Sequence, residues 1–336
     1  MRKTLLAAAT AAGLLLLAAC GAADNNQDSG KEPDVSAETA AASVQTSQSL
    51  DVNENGTIEF QDAAGETVSF EEAPASAAAL SGGDLDMLLA LGANVVGRPS
   101  SQGPAADELK EIQEIGNPHQ PNFEKIAEVH PDVLVASASF KQHAANLEAQ
   151  GTKVVYTAAN SVDDILQTIG NFGQMLGKQD EAEELTMQIE DKMDQAAGQA
   201  EKRGVKTLLV YGAPGSYLAA LPNSLSGDLL ERAGGENIAS DLPKEDNYPQ
   251  YASLSTEKII ERNPEAVMLI THGDPEAVKS AFEGEMAKNP AWKNLDAVKN
   301  GKVTVLPSHL FGTNPGTKVA DAFDVMIESL KEAEAK

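Results

Sequence analysis

Apolar and polar positions follow two distinct periods from residue 56 onward. Residues 57–61 and 67–70 alternate one by one around the turn Asp62-Ala63-Ala64-Gly65, which predicts a β-hairpin. Short continuous apolar runs come next, at residues 77–80, 94–97, 133–136 and 153–156, of the kind buried on both faces of a parallel sheet. Between them stand segments of helical period, 84–91 closed by Gly92 and 123–129 closed by His130-Pro131. Strands alternating with helices make this an α/β unit. From Ser161, a capping residue, helical sequence runs with glycine breaks to about residue 203, and Ala182, Leu185, Ile189, Met193, Ala196 and Ala200 line one face at steps of three or four. A second α/β series follows, with strands at 207–211, 266–270 and 302–306 and helices at 225–233, 255–261 and 317–333. The pattern predicts two lobes, each a mostly parallel sheet flanked by helices, joined by one long α-helix, with residues 53–160 in the first lobe, 161–204 in the helical segment and 205–336 in the second. A cleft between lobes is a favoured place for a ligand.

The first 52 residues read differently. A basic start, an apolar run of signal-peptide length and small residues before Cys20 predict a signal peptide over residues 1–19. Leu17-Ala18-Ala19-Cys20 resembles a lipobox, which implies lipidation of Cys20, and residues 20–52, small and polar, predict a disordered tether. Cys20 is the single cysteine, so an internal disulfide, a thiolate zinc site and a cysteine nucleophile are excluded. The expected location is the extracytoplasmic face of the membrane. A net charge of −26 speaks against nucleic acid as a partner, because phosphate recognition wants a basic face.

Enzyme signatures are missing: the sequence holds no nucleophile elbow, phosphate loop or His-Glu-x-x-His. The histidines are the better lead. His119 lies between Pro118 and Pro121, on a turn those prolines stiffen, just ahead of a helix. His272 follows directly on the buried run 266–270, and His309 has the same placement after the last strand. Ligands of open α/β sheets bind beyond the carboxyl ends of strands. His130 reads as a surface residue, and His143 as the start of a helix that follows a strand. A zinc or manganese site needs further His, Asp or Glu ligands around His119 and His272. Two opposed imidazoles suit a haem iron better, since the porphyrin supplies the other four positions.

The lipobox, hairpin, two α/β lobes and linking helix resemble the substrate-binding lipoproteins of ABC importers for ferric siderophores, haem and corrinoids. The second half is most similar to the haem-binding lipoproteins of Gram-positive iron-regulated surface systems, through residues 269–277, 289–299 and 311–314. That resemblance implies that His272 ligates haem iron. It puts His119 where those proteins carry a methionine as the other axial ligand, in the motif around Gly116, Asn117, Pro118 and Pro121. It further implies that Glu124 and Glu231, both early on helices, dock an ABC permease with its ATPase. Arg98 after a strand is then a candidate partner for a propionate, and Tyr217 a candidate to hydrogen-bond or stack on the ligand. The expectation is a monomeric haem carrier with no intrinsic cofactor. The alternative is a carrier of a ferric siderophore or a corrinoid on the same fold.

Overall fold

The computed structural model describes residues 56–100, 106–198, 204–212, 216–271 and 274–335, so the signal peptide, Cys20, the tether and His272 lie outside the described residues. Strands β1 (Ile58–Gln61) and β2 (Thr67–Phe70) form the expected antiparallel hairpin. The first half continues with β3 (Ala77–Ala79), α1 (Gly82–Ala90), β4 (Val95–Arg98), β5 (Gln113–Glu114), β6 (Gly116–Asn117), β7 (Gln120–Pro121), α2 (Phe123–Val129), β8 (Val133–Ser137), α3 (Lys141–Glu148) and β9 (Lys153–Thr157). Helices α4 (Val162–Leu176) and α5 (Gln179–Ala197) lead to the second half. This comprises β10 (Lys206–Tyr211), β11 (Leu218–Ala220), α6 (Leu225–Arg232), β12 (Glu236–Asn237), β13 (Tyr251–Ser253), α7 (Thr256–Arg262), β14 (Ala266–Ile270), α8 (Pro275–Met286), α9 (Asp296–Lys299), β15 (Val303–Val305), α10 (Ser308–Phe311) and α11 (Val319–Glu334).

Five strands of the first half make one sheet in the order β5-β4-β3-β8-β9, parallel throughout. The second sheet runs β13-β11-β10-β14-β15, with β12 also on β10. There β12, β10, β14 and β15 pair in parallel, and β11 alone is reversed, pairing antiparallel with both β10 and β13. The free edge of β9 is covered by the turn of the first hairpin: Ala63 N–H donates to the Tyr156 carbonyl and Tyr156 N–H to the Asp62 carboxylate. An edge satisfied this way is closed to further pairing.

The helical segment is broken at a glycine, and the 19-residue α5 is the long helix expected in its last part. Gly177 stands in the left-handed region and ends α4, so the chain turns before α5 begins. Packing is also less divided than two separate cores. One apolar cluster takes in Val133 and Val135 of the first sheet, Leu209 and Met268 of the second, and Phe172, Ile189 and Phe323 from α4, α5 and α11 between them. Each sheet keeps a smaller cluster on its outer face, with Ile126, Phe140 and Leu147 in the first half and Ile259, Phe282 and Trp292 in the second. Phe172 is fully buried, and truncating such a side chain to alanine costs about 3–5 kcal/mol.

Candidate ligand site at the carboxyl edges of two sheets

The carboxyl edge of the first sheet emits Ser81 after β3, Arg98 at the end of β4, the segment after β5, the turn after β8, and Thr157 of β9. The segment after β5 is a tight hairpin of β6 and β7 with Pro118 and His119 at its tip. Asn117 Oδ1 accepts from the backbone N–H groups of both His119 and Gln120, at 3.0 Å each, which fixes the turn. Gly116 is required here: its φ is +96°, and a Cβ would lie 2.4 Å from the Gln120 carbonyl oxygen. The imidazole of His119 is exposed on this braced tip.

In the second sheet Tyr211 pairs with both Leu218 and Ile270, so β10 and β14 end level with each other. Thr271, the last described residue before His272, is buried at that edge. The Leu306 N–H donates to the Leu269 carbonyl, which brings the end of β15 to the same edge, and His309 follows in α10 with its side chain exposed. His309 follows the carboxyl end of β15, and His119 follows β5, a two-residue strand that the sequence pattern does not show; His272 itself lies outside the described residues.

Two other expected site residues are occupied elsewhere. The Arg98 guanidinium donates from Nε to the carbonyls of Leu109 and Ile112 and from Nη1 to that of Pro99, and it pairs with Glu114 at 3.3 Å. Its side chain is only 11% exposed, so it braces its own loop instead of reaching out to a ligand. Glu114 in turn is held below the usual carboxylate range by a hydrogen bond to Ser100 and by the nearby Arg98 charge. The Tyr217 ring packs edge-on against Phe282 at 5.1 Å, and Phe282 packs edge-on against Trp292. Tyr217 is thus turned into the outer core beneath α8. Its hydroxyl is buried without a hydrogen-bond partner among the described residues, and burial together with Glu285 pushes the phenol pKa up. His143 begins α3 as expected and packs on the rings of Phe123 and Phe140, at 5.3 and 5.6 Å.

The two glutamates expected to dock a permease are placed differently from one another. Glu124 is in the first turn of α2, but Glu231 lies in the last turn of α6, not early on it. A repeat that the half-by-half reading missed supplies a different counterpart. Asn122, Glu124, Lys125, Ile126, Glu128, His130, Pro131 and Asp132 stand in the same order as Ser255, Glu257, Lys258, Ile259, Glu261, Asn263, Pro264 and Glu265. The likeness is structural. Asn122 and Ser255 both cap their helices by accepting from the third residue on, His130 and Asn263 both end them in the left-handed conformation, and the buried strands β8 and β14 follow. Glu257 is thus the residue that stands where Glu124 stands, each in the first turn of its helix.

Among the described residues no three His, Cys, Asp or Glu side chains converge as a metal site. Two α/β halves with loops gathered at their strand ends are the architecture of the structures this chain resembles. The periplasmic binding protein family model matches residues 78–310, and the chain belongs to that family of extracytoplasmic binding proteins; its role is binding for transport, not catalysis. Among curated relatives, the high-affinity haem uptake system protein IsdE of Staphylococcus aureus is 32% identical over 222 residues, which cover 65% of this chain and 74% of that one. The crystal structure of S. aureus IsdE complexed with haem superposes with a TM-score of 0.65 at 28% identity, over 77% of this chain and 98% of that one. An ABC transporter substrate-binding protein from Listeria monocytogenes EGD-e gives 0.67 at 27% identity, with 77% and 98% covered. S. aureus SirA complexed with staphyloferrin B shares the fold with a TM-score of 0.65 at 23% identity, over 81% and 98%.

Proposed function

We propose that this protein captures haem outside the cytoplasmic membrane, to which a lipid on Cys20 anchors it, and hands it to an ABC permease for iron uptake. The observation that carries this reading is the braced position of His119, taken with the place of His272 in the sequence directly after Thr271. His119 is braced at the hairpin tip beyond β5, and His272 leaves β14 one residue after a buried threonine. One imidazole from each half, approaching opposite faces of a porphyrin, completes a six-coordinate iron. The similarity to a haem uptake protein supports the same ligand.

Glu124 and Glu257 form the permease-docking pair in this reading. The repeat sets them at matching places on the two halves, and exposed carboxylates suit arginine-rich partners. A ferric siderophore is the second reading, favoured only by the shared fold of a siderophore-binding structure.

Titrating the purified protein with haemin tests the proposal. A sharp Soret band growing to one equivalent is expected, lost in His272→Ala and shifted in His119→Ala. An unchanged haemin spectrum in the wild-type protein, or a Soret band unaffected by His272→Ala, would overturn it.

A further inference from the structure

A second repeated feature joins the two halves. Gly83-Asp84-Leu85 opens α1 and Gly227-Asp228-Leu229 lies at the start of α6, with serine N-caps at Ser81 and Ser224. In both cases the aspartate grips the other half. Asp84 Oδ1 accepts from Asn314 Nδ2 at 3.4 Å, and its Oδ2 accepts from Ser81 Oγ at 2.5 Å and Thr157 Oγ1 at 3.2 Å. Two residues on, Asp86 Oδ2 accepts from the N–H and the hydroxyl of Thr317, at 2.9 and 2.5 Å, while Asn314 Oδ1 accepts from Gly316 N–H. In the opposite direction, Asp228 Oδ2 accepts from Val162 N–H at 2.9 Å. Arg232 bridges Asp228 and Asp163.

The symmetry lies in what is gripped. Residues 314–317 stand between β15, the last strand of the second sheet, and α11. Val162 opens α4 just after β9, the last strand of the first. Each aspartate therefore holds a segment beyond the final strand of the opposite sheet: Asp84 the turn between α10 and α11, and Asp228 the start of α4. The approach at Asp84 is as close as backbone allows, since a Cβ on Gly83 would lie 2.3 Å from Asn314 Cγ. The contact also gathers carboxyl-edge loops from both sheets: Ser81 follows β3, Thr157 ends β9, and Asn314 follows the α10 turn that carries His309.

We propose that Asp84 with Asn314 and Asp228 with Val162 form a reciprocal clasp that stays closed while ligand enters and leaves, and so sets the separation of the two ligand-bearing edges. Asp84 and Asn314 are positioning residues, acting through the loops they fasten. This rests on the ligand bridging the two halves.

The test is a charge exchange. Asn314→Asp puts a second carboxyl against Asp84, and two adjacent carboxyls cannot both ionise cheaply. Alongside it the elements packed there bring the hydroxyls of Ser81 and Thr157, and Asp86 is held by Thr317. Haemin affinity of Asn314→Asp is expected to fall about three- to thirty-fold at pH 8 and to recover at pH 5.5. The double variant Asp84→Asn/Asn314→Asp restores wild-type affinity at both. In the wild-type protein the Gly316 and Thr317 amides are expected to show the same hydrogen-exchange protection with and without haemin. Equal affinity of Asn314→Asp and wild type at both pH values would overturn the proposal, as would amide protection that appears only with ligand. If wild-type protein takes up no haemin, the haem reading fails by itself. Loss of amide protection in ligand-free Asn314→Asp at pH 8 and its return at pH 5.5 still judge the clasp.

Discussion

Asp84 and Asp228 hold equivalent places on the two halves and differ in one respect, their compensation. Asp228 is one-fifth exposed and, besides the Val162 N–H, receives two hydrogen bonds from the Arg232 Nε, at 3.0 and 2.9 Å. Asp84 is buried among two hydroxyls and an amide, and desolvation lifts its pKa from 3.8 to about 6 against the opposing pull of Ser81 and Thr157. The same backbone job is thus done once by an ion pair and once by a carboxyl that hovers between neutral and charged. The repeated helix–strand segments show the same divergence on a common frame. In the first half the proposed ligand group, His119, precedes the repeated helix; in the second, His272 follows the repeated strand. Apolar positions preserve the frame in both halves, and the loops at its ends carry what distinguishes them.

The largest expected effect bears on the aspartates. The folded state keeps a proton on Asp84 that the unfolded chain releases between about pH 4 and pH 6. The stability this proton contributes is full below pH 4 and lost as pH rises to 6, with no further change from this group above. Asp84→Asn should remove the slope, leaving the variant about 2–3 kcal/mol better off relative to wild type at pH 7 than at pH 4. Urea melts of both proteins across that range check this. Identical pH profiles would mean Asp84 is solvated like an ordinary carboxylate.

Docking comes next. Glu124→Ala combined with Glu257→Ala should leave haemin affinity unchanged and slow haem delivery to the permease about ten-fold, on the scale of a truncated interface hot spot. Glu231→Ala should do neither. Uptake into vesicles carrying the permease distinguishes them, and a loss with Glu231→Ala alone would break the equivalence of the two halves. Arg232→Gln removes the cation from the second clasp and should cost about 1 kcal/mol, since its partners are partly exposed.

The smallest effect separates the two helix ends. His130 and Asn263 both sit at positive φ, 43° and 45°, where a β-carbon is strained. Asn263 gains compensation, donating to Asp296 Oδ2 at 2.7 Å and accepting from the Asp296 N–H at 2.9 Å. His130→Gly should therefore stabilise by about 1 kcal/mol, while Asn263→Gly gains nothing or loses stability. Thermal melts settle the sign.

Much of this frame could be read from residue order. Strands β3, β8, β10 and β14 announce themselves as unbroken apolar runs, and β1 and β2 by strict alternation. Strands β5, β6 and β7, of two residues each, carry no period at all and exist because the chain around His119 turns back on itself. The glycine break within residues 161–203 was legible too, and it falls at Gly177. Arg98 and Tyr217 were placed correctly near strand ends, but strand position says nothing about side-chain direction, and loop carbonyls claimed one while the core claimed the other. Glu257 was missed for a simpler reason: its signal, the order Glu-Lys-Ile with proline seven residues after the glutamate, appears only when the halves are laid side by side.

Native mass spectrometry of the protein mixed with equal amounts of haemin, a ferric hydroxamate siderophore and cobalamin tests the central claim most directly. One haemin adduct per chain, abolished by His272→Ala, is the predicted result. A siderophore or cobalamin adduct in its place would contradict it.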